Sequence, residues 1–178
     1  YNNTMTHAAA CHNATLPFTR NIVGSMDYTP GTFTDSQYPH ITTHAHELAL
    51  PILFESALLH NPDRPSAYEA MPTLVKKLFA TLPTVWDETR LLSGYPGTSV
   101  VIARRKGNTW YVGGINGTDQ KLTLSLSPYQ LAPNAKKFTL FSDGSDGRSF
   151  IIDAAKTTQQ TIKIDCLPRG GFVAVIRR

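Results

Sequence analysis

The densest set of chemistry-bearing side chains follows one short apolar run. In LPFTRNIVGSMDYTPGTF, from Leu16 to Phe33, the residues Arg20, Asp27 and Tyr28 sit at or just past Leu16, Phe18, Ile22 and Val23. A guanidinium cannot act as acid or base near neutral pH, so Arg20 suits orienting a carboxylate or a polar substrate. Asp27 accepts hydrogen bonds, and Tyr28 offers both a ring face and a hydroxyl. The plainer alternative pairs Arg20 with Asp27 to fix a loop. A second candidate group is Asp87 and Glu88, behind Val85 and Trp86. Adjacent carboxylates on a strand point to opposite faces, so only one of them can readily face a pocket. His12 stands alone in a polar stretch. His44 and His46 lie two apart, which on a helix aims them in different directions and disfavours joint metal ligation.

These residues need elements to place them. Leu16 to Val23 reads as a buried strand closed by Gly24 and by the Pro30-Gly31 turn, and in a parallel α/β arrangement the carboxyl ends of strands handle ligands. Residues 1 to 15 lack periodicity and read as a loop. Thr43 is a plausible N-cap for a helix through about Leu59, with Leu48, Ile52 and Leu59 on one face and Pro51 set to kink it. After the NPDRPS connector a second helix runs from about Ala67, or from Pro72, to Ala80, with Met71, Leu74, Leu78 and Phe79 apolar. Val85-Trp86 reads as one more short strand, with Asp87 and Glu88 at its end.

The pattern changes from Thr98 onward. SVVIARR, NTWYVGGIN, KLTLSLS, KFTLFSD, SFIIDA, QTIKID and GGFVAVIRR are seven short runs separated by turn residues, which predicts an antiparallel Greek-key sandwich. Asp143-Gly144 and Asp146-Gly147 are hairpin-turn chemistry; they fall short of a calcium loop because no Glu follows at the needed spacing.

Composition bounds the function. The chain has 178 residues, 41% hydrophobic and 17% charged, with a formal net charge of +4. No apolar run is long enough to span a bilayer, and the first residues lack the basic flank and apolar core of a signal peptide. Arg104, Arg105 and Lys106 mark a hairpin turn rather than a nucleic-acid face, since no interleaved aromatics accompany them. Cys11 and Cys166 are too few and too far apart for a disulfide framework or a metal knuckle.

The motif LPFTRNIVGSMDYTP, with HELAL and FES downstream and PTVWDET, VVIARR and WYVGG beyond, resembles the C-terminal part of glycoside hydrolase family 97. The resemblance implies an exo-acting enzyme that hydrolyses terminal α-glucosyl or α-galactosyl units. It also implies the fold class, α/β plus all-β: the last βα units of a (β/α)8 TIM barrel over residues 1–92, then a β-sandwich over residues 93–178. In family members a Glu a few residues ahead of LPFTR acts as general acid. Cys11 occupies that position here, and a thiol cannot replace a carboxylic acid tuned to protonate a glycosidic oxygen. The substrate-binding candidates are His12, Arg20, Asp27, Tyr28 and Glu88, with no metal site assigned. Ca2+ belongs to the intact enzyme, with no ligand set visible in this stretch. The implied partners are an oligosaccharide and the remaining N-terminal part of the enzyme, with no nucleic acid and no membrane insertion. The implied location is periplasmic or secreted. Alternatives for the sandwich are a carbohydrate-binding module, for which Trp110, Tyr111 and Tyr129 are the aromatic candidates, and a purely structural support.

Overall fold

The computed structural model of the protein describes residues 7–35, 39–56, 60, 62–158 and 160–177. Among the described residues eight strands make two antiparallel sheets. The larger holds β1 (Glu88–Tyr95), β2 (Ser99–Lys106), β3 (Thr109–Asn116), β5 (Lys137–Asp143), β6 (Phe150–Thr157) and β8 (Gly171–Arg177), in the order β1-β2-β3-β8-β5-β6. The smaller pairs β4 (Leu122–Leu126) with β7 (Ile162–Cys166). The chain crosses to the small sheet twice, and β8 returns to the middle of the large one between β3 and β5.

The large sheet is covered on both faces, and that explains its sequence. Val101, Ala103, Val112, Phe172 and Ala174 face β4 and β7, where Leu124, Leu126, Ile162 and Ile164 close an inner core. Val100, Ile102, Ile115 and Val173 face the other way, against Leu48, Ala49, Ile52 and Leu53 of helix α3 (His44–Leu53). A strand buried on both faces reads as a continuous apolar run, as in VVIA and FVAVI. A strand buried on one face alternates, as in Leu122, Leu124 and Leu126, with Thr123 and Ser125 outward.

Two glycines let α3 lie on the sheet. A side chain at Gly113 would come within 3.0 Å of the Ala49 carbonyl, and one at Gly171 within 2.9 Å of the His46 backbone. Thr43 caps α3 as the sequence predicts, its hydroxyl accepting from the His46 N–H at 3.1 Å. The helix ends at Leu53, two residues after Pro51; the remainder of the predicted helix includes residues 57–59, outside the described residues. The second predicted helix divides into α4 (Pro65–Glu69) and α5 (Thr73–Thr81), the latter starting after Pro72.

The barrel strands are corrected by the structure. Residues 9–15, read as loop, form α1 (Ala9–Thr15). Leu16–Phe18 is a single 3-10 turn, and Arg20–Val23 is the short helix α2. The backbone keeps turning locally, with Thr19 N–H donating to the Leu16 carbonyl and Ile22 N–H to the Thr19 carbonyl, both at 3.2 Å. Ile22 and Val23 are 73% and 85% exposed, so they fill no core in this chain. Val85-Trp86 is likewise no strand; β1 begins at Glu88 and pairs antiparallel with β2. Among the described residues every paired strand is antiparallel, and no parallel barrel strands are present. A strand needs neighbours for its N–H and C=O groups, and residues 16–23 have none here. Position 93 falls inside β1, so a cut there divides a paired strand.

Candidate functional site

The sequence-predicted site residues are each held by different partners. Cys11 and His12 lie on α1 and are exposed, and the Cys11 thiol sits against Gly97 in the β1–β2 turn, where a side chain would meet Sγ at 3.2 Å. Arg20 does not pair with Asp27. Its guanidinium donates to the carbonyls of Gly24 and Ser25 at 3.3 and 3.0 Å, closing the end of α2. The Asp27 carboxylate is 80% exposed, 3.7 Å from Nε2 of His60.

Tyr28 leads inward. Its hydroxyl donates to Asn13 Oδ1 at 2.6 Å, and Asn13 Nδ2 lies 3.0 Å from Nε2 of His46. On the other side of that ring Nδ1 lies 3.3 Å from the Gly170 carbonyl. One assignment satisfies all three contacts: the amide donates to Nε2, and Nδ1–H donates to the carbonyl. Burial holds the His46 imidazole neutral, its pKa pushed down to about 3. The string joins α1, α3 and the loop before β8, so Tyr28 is tied to a structural relay. No local pattern in the chain points to it, because Asn13, Tyr28, His46 and Gly170 are far apart in sequence.

Glu88 is bound on both oxygens, by Arg90 Nε at 2.7 Å and by Arg105 Nε at 3.1 Å. Those hydrogen bonds, Arg90 first, hold its carboxyl below the usual range. Asp87 accepts from the Gly107 N–H at 2.7 Å and from Lys106 Nζ at 3.1 Å, fixing the β2–β3 turn. Both carboxylates border a polar cavity of about 370 Å³ together with Glu55, Trp86 and Arg104. Arg104 is its buried cation: Nε donates to the Ile52 carbonyl at 2.6 Å and NH2 to the Leu53 carbonyl at 3.2 Å, with Glu55 3.5 Å away. Arg104 is thus spent on the C-terminal end of α3, and Asp87 and Glu88 on the strands and turn beside it.

A second polar joint closes the other end of α3. Asp143 accepts from the Thr43 hydroxyl and from the N–H groups of Leu167 and Gly171 at 2.9 and 3.0 Å, and burial pushes its carboxyl up. Arg148 donates to Asp35 at 2.7 Å and to the carbonyls of Thr42 and His40 at 2.7 and 2.6 Å. Asp146 accepts from the Arg148 N–H and the Ser149 hydroxyl, so Asp146-Gly147 is turn chemistry, as predicted, whereas Asp143 ends β5 with its carboxylate in the joint. His44 and His46 face Phe33 and Gly170 respectively. Among the described residues no three His, Cys, Asp or Glu side chains converge on a metal position. Trp110 is fully buried and Tyr111 packs edge-on against Trp86 at 5.5 Å; neither offers a sugar-stacking face, and Tyr129 is 40% exposed. Cys11 and Cys166 are free thiols, and no helix of the described residues is long and apolar enough to cross a membrane.

What the geometry assembles is therefore a joint between a helical layer and a sandwich. A family model described as glycosyl-hydrolase 97 C-terminal, oligomerisation, matches residues 85–177. A probable retaining alpha-galactosidase of Streptomyces bingchenggensis is 37% identical over 93% of the chain and 26% of the relative's length. A retaining alpha-galactosidase of Bacteroides thetaiotaomicron is 33% identical over 93% of the chain and 27% of its own length. Among solved structures, a beta-arabinopyranosidase superposes with a TM-score of 0.84 at 27% identity, covering 98% of this chain and 28% of that one. A family 97 enzyme of Pseudoalteromonas sp. strain K8 in complex with acarbose gives a TM-score of 0.83 at 27% identity, covering 94% and 28%. The chain spans about a quarter of the length of the curated relatives it matches, and it belongs to glycoside hydrolase family 97.

Proposed function

We propose that the chain is the C-terminal portion of an exo-acting α-glycosidase that removes terminal α-galactosyl, or α-glucosyl, units from oligosaccharides, and that its own part in that enzyme is support and assembly. The observation that carries the reading is the 37% and 33% identity, across 93% of the chain, to two proteins named as retaining alpha-galactosidases. The local chemistry agrees with a supporting role. A glycosidase flanks the scissile bond with two carboxyl groups about 5 to 9.5 Å apart, whereas Glu88, Asp87 and Asp143 are each engaged by donors of the joint.

Within that reading, residues 1–92 are the part that lies next to the catalytic barrel of the intact enzyme, although the described residues among them form helices and the start of β1 rather than barrel strands. His12, Arg20 and Asp27, exposed on or just beyond α1 and α2, are the candidates that the rest of the enzyme can bring to substrate. Tyr28 and Glu88 hold position instead, Tyr28 through Asn13 and Glu88 through its two arginines. A periplasmic or secreted site of action is part of the same proposal. The test is hydrolysis of p-nitrophenyl α-galactoside and α-glucoside. The intact enzyme turns over one of them and the 178-residue chain gives only background rates. Turnover by the chain itself, lost on Asp27→Ala, overturns the supporting role. An intact enzyme inactive on both overturns the substrate class.

A further inference from the structure

The segment that carries Arg20 and leads to Asp27 has no apolar anchor of its own. Helix α2 buries none of its side chains, and residues 19–25 are exposed or half-buried throughout. Hydrogen bonds therefore decide where the segment lies. Those of Arg20 stay inside it, on the Gly24 and Ser25 carbonyls. Among the described residues, Asn21 is the one side chain of residues 20–25 whose hydrogen bonds reach another element. Its Nδ2 donates to the Glu55 carbonyl at 3.0 Å and its Oδ1 accepts from the Glu55 N–H at 3.3 Å, so one amide meets both backbone groups of a single residue, as a neighbouring strand would. The same Nδ2 donates to the Gly24 carbonyl at 3.3 Å.

Glu55 is itself held. It follows the buried Phe54 at the end of α3, and its carboxylate lies 3.5 Å from Arg104, which binds the Ile52 and Leu53 carbonyls. The Met26 N–H also donates to the Glu55 carbonyl, at 3.0 Å, and the Met26 side chain is buried in the core. Residues 21 and 26 thus meet on one carbonyl. The chain between them reverses at Gly24, whose φ of 149° lies where glycine is favoured. Asp27 comes next.

We propose that Asn21 is a positioning residue of the glycosidase: its amide fixes to Glu55 the loop that presents Arg20 and Asp27, and so sets where these two groups stand toward substrate in the intact enzyme. The inference rests on the reading above that Arg20 and Asp27 reach substrate. Such a tether acts on kcat/KM, because moving a binding group by about 1 Å from its productive place costs up to about 10²-fold.

The test is steady-state hydrolysis by the intact enzyme of whichever p-nitrophenyl α-glycoside it turns over. Asn21→Ala should lower kcat/KM at least about tenfold, with circular dichroism and melting temperature unchanged. In an enzyme already carrying Arg20→Ala and Asp27→Ala the same substitution should cost less than about twofold, since the groups it positions are gone. Gly24→Ala provides a second break: the added methyl group meets no atom within 4 Å but strains the loop backbone, and kcat/KM should fall again. Equal losses on Asn21→Ala in both backgrounds, or full activity in either single variant, overturn the inference and leave the substrate reading standing. Wild-type kinetics in the Arg20→Ala, Asp27→Ala enzyme overturn that reading, and the inference with it.

Discussion

The two faces of the six-stranded sheet are closed by different means. The inner face meets β4 and β7 through aliphatic and aromatic side chains, with Phe172, Ile176 and Trp110 fully buried. The outer face meets α3 through an apolar patch rimmed by directed polar contacts: Arg104 at the C-terminal end of the helix, Asp143 and Arg148 near its start, and the Tyr28–Asn13–His46 string along its side. Apolar burial supplies most of the energy on either face, but it is indifferent to direction. Hydrogen bonds to named carbonyls and N–H groups fix where a separately encoded helix must sit. The inner face is thus a core that the sandwich builds for itself, and the outer face is a joint to the helical layer.

Breaking the inner core should cost most. Phe172→Ala removes a fully buried ring packed under Gly114, and a loss of about 3–5 kcal/mol is expected in urea unfolding, shared by both layers. The joint is cheaper to break. Arg104→Met keeps the apolar stem but leaves the Ile52 and Leu53 carbonyls without their donor, an expected loss of about 2–3 kcal/mol. Hydrogen exchange should then quicken in α3 before it quickens in β3 and β8.

Acid should loosen the joint in a smaller, graded way. Burial pushes His46 down to about 3 and His40 down to about 4, whereas an unfolded histidine titrates near 6.5. Their folded pKa values are depressed, so the unfolded chain binds more protons below about pH 6.5, and stability is lost as pH falls from there. Each histidine contributes about 1.4 kcal/mol per pH unit at most. The Glu47 and Asp143 carboxyls, raised by burial, act in the opposite sense, losing their destabilisation as they protonate. His46→Gln separates the contributions: between about pH 4 and 5.5 the slope of melting temperature against pH should fall by about one proton's worth relative to wild type. An unchanged slope would remove His46 from the account. The smallest effect is expected at Cys11→Ser, where an exposed thiol resting on Gly97 should change stability by less than about 0.5 kcal/mol.

Much of this division was legible in the sequence, and the failures have physical causes. All seven runs after Thr98 are strands, because each carries either alternation or a β-branched apolar stretch between turn residues. The continuous runs VVIA and FVAVI also held the sign of burial on two faces, and with it the helical layer. β1 escaped notice because an edge strand with Gly94 and exposed leucines has no buried face to impose a period. LPFTRNIV misled because a short apolar run is compatible with strand or helix, and tertiary neighbours decide between them. The joint was invisible because its members lie far apart in sequence: Arg104 meets Ile52, Arg148 meets Asp35 and Asn13 meets His46. The candidate site was the least legible part. Tyr28 and Glu88 have chemistry suited to sugar contact, and only the fold shows that Tyr28 also donates to Asn13 and that Glu88 also accepts from Arg90 and Arg105.

The central claim is that helical layer and sandwich are one cooperative body, although the family model begins at residue 85. Without α3, the apolar patch of Val100, Ile102, Ile115 and Val173, now at most 7% exposed, would face water. The most direct measurement compares amide hydrogen exchange of β2, β3 and β8 in the 178-residue chain and in a fragment of residues 85–177. The account predicts that protection in these central strands collapses in the fragment. Protection and melting temperature matching the full chain would contradict it, and would make the sandwich an independent domain.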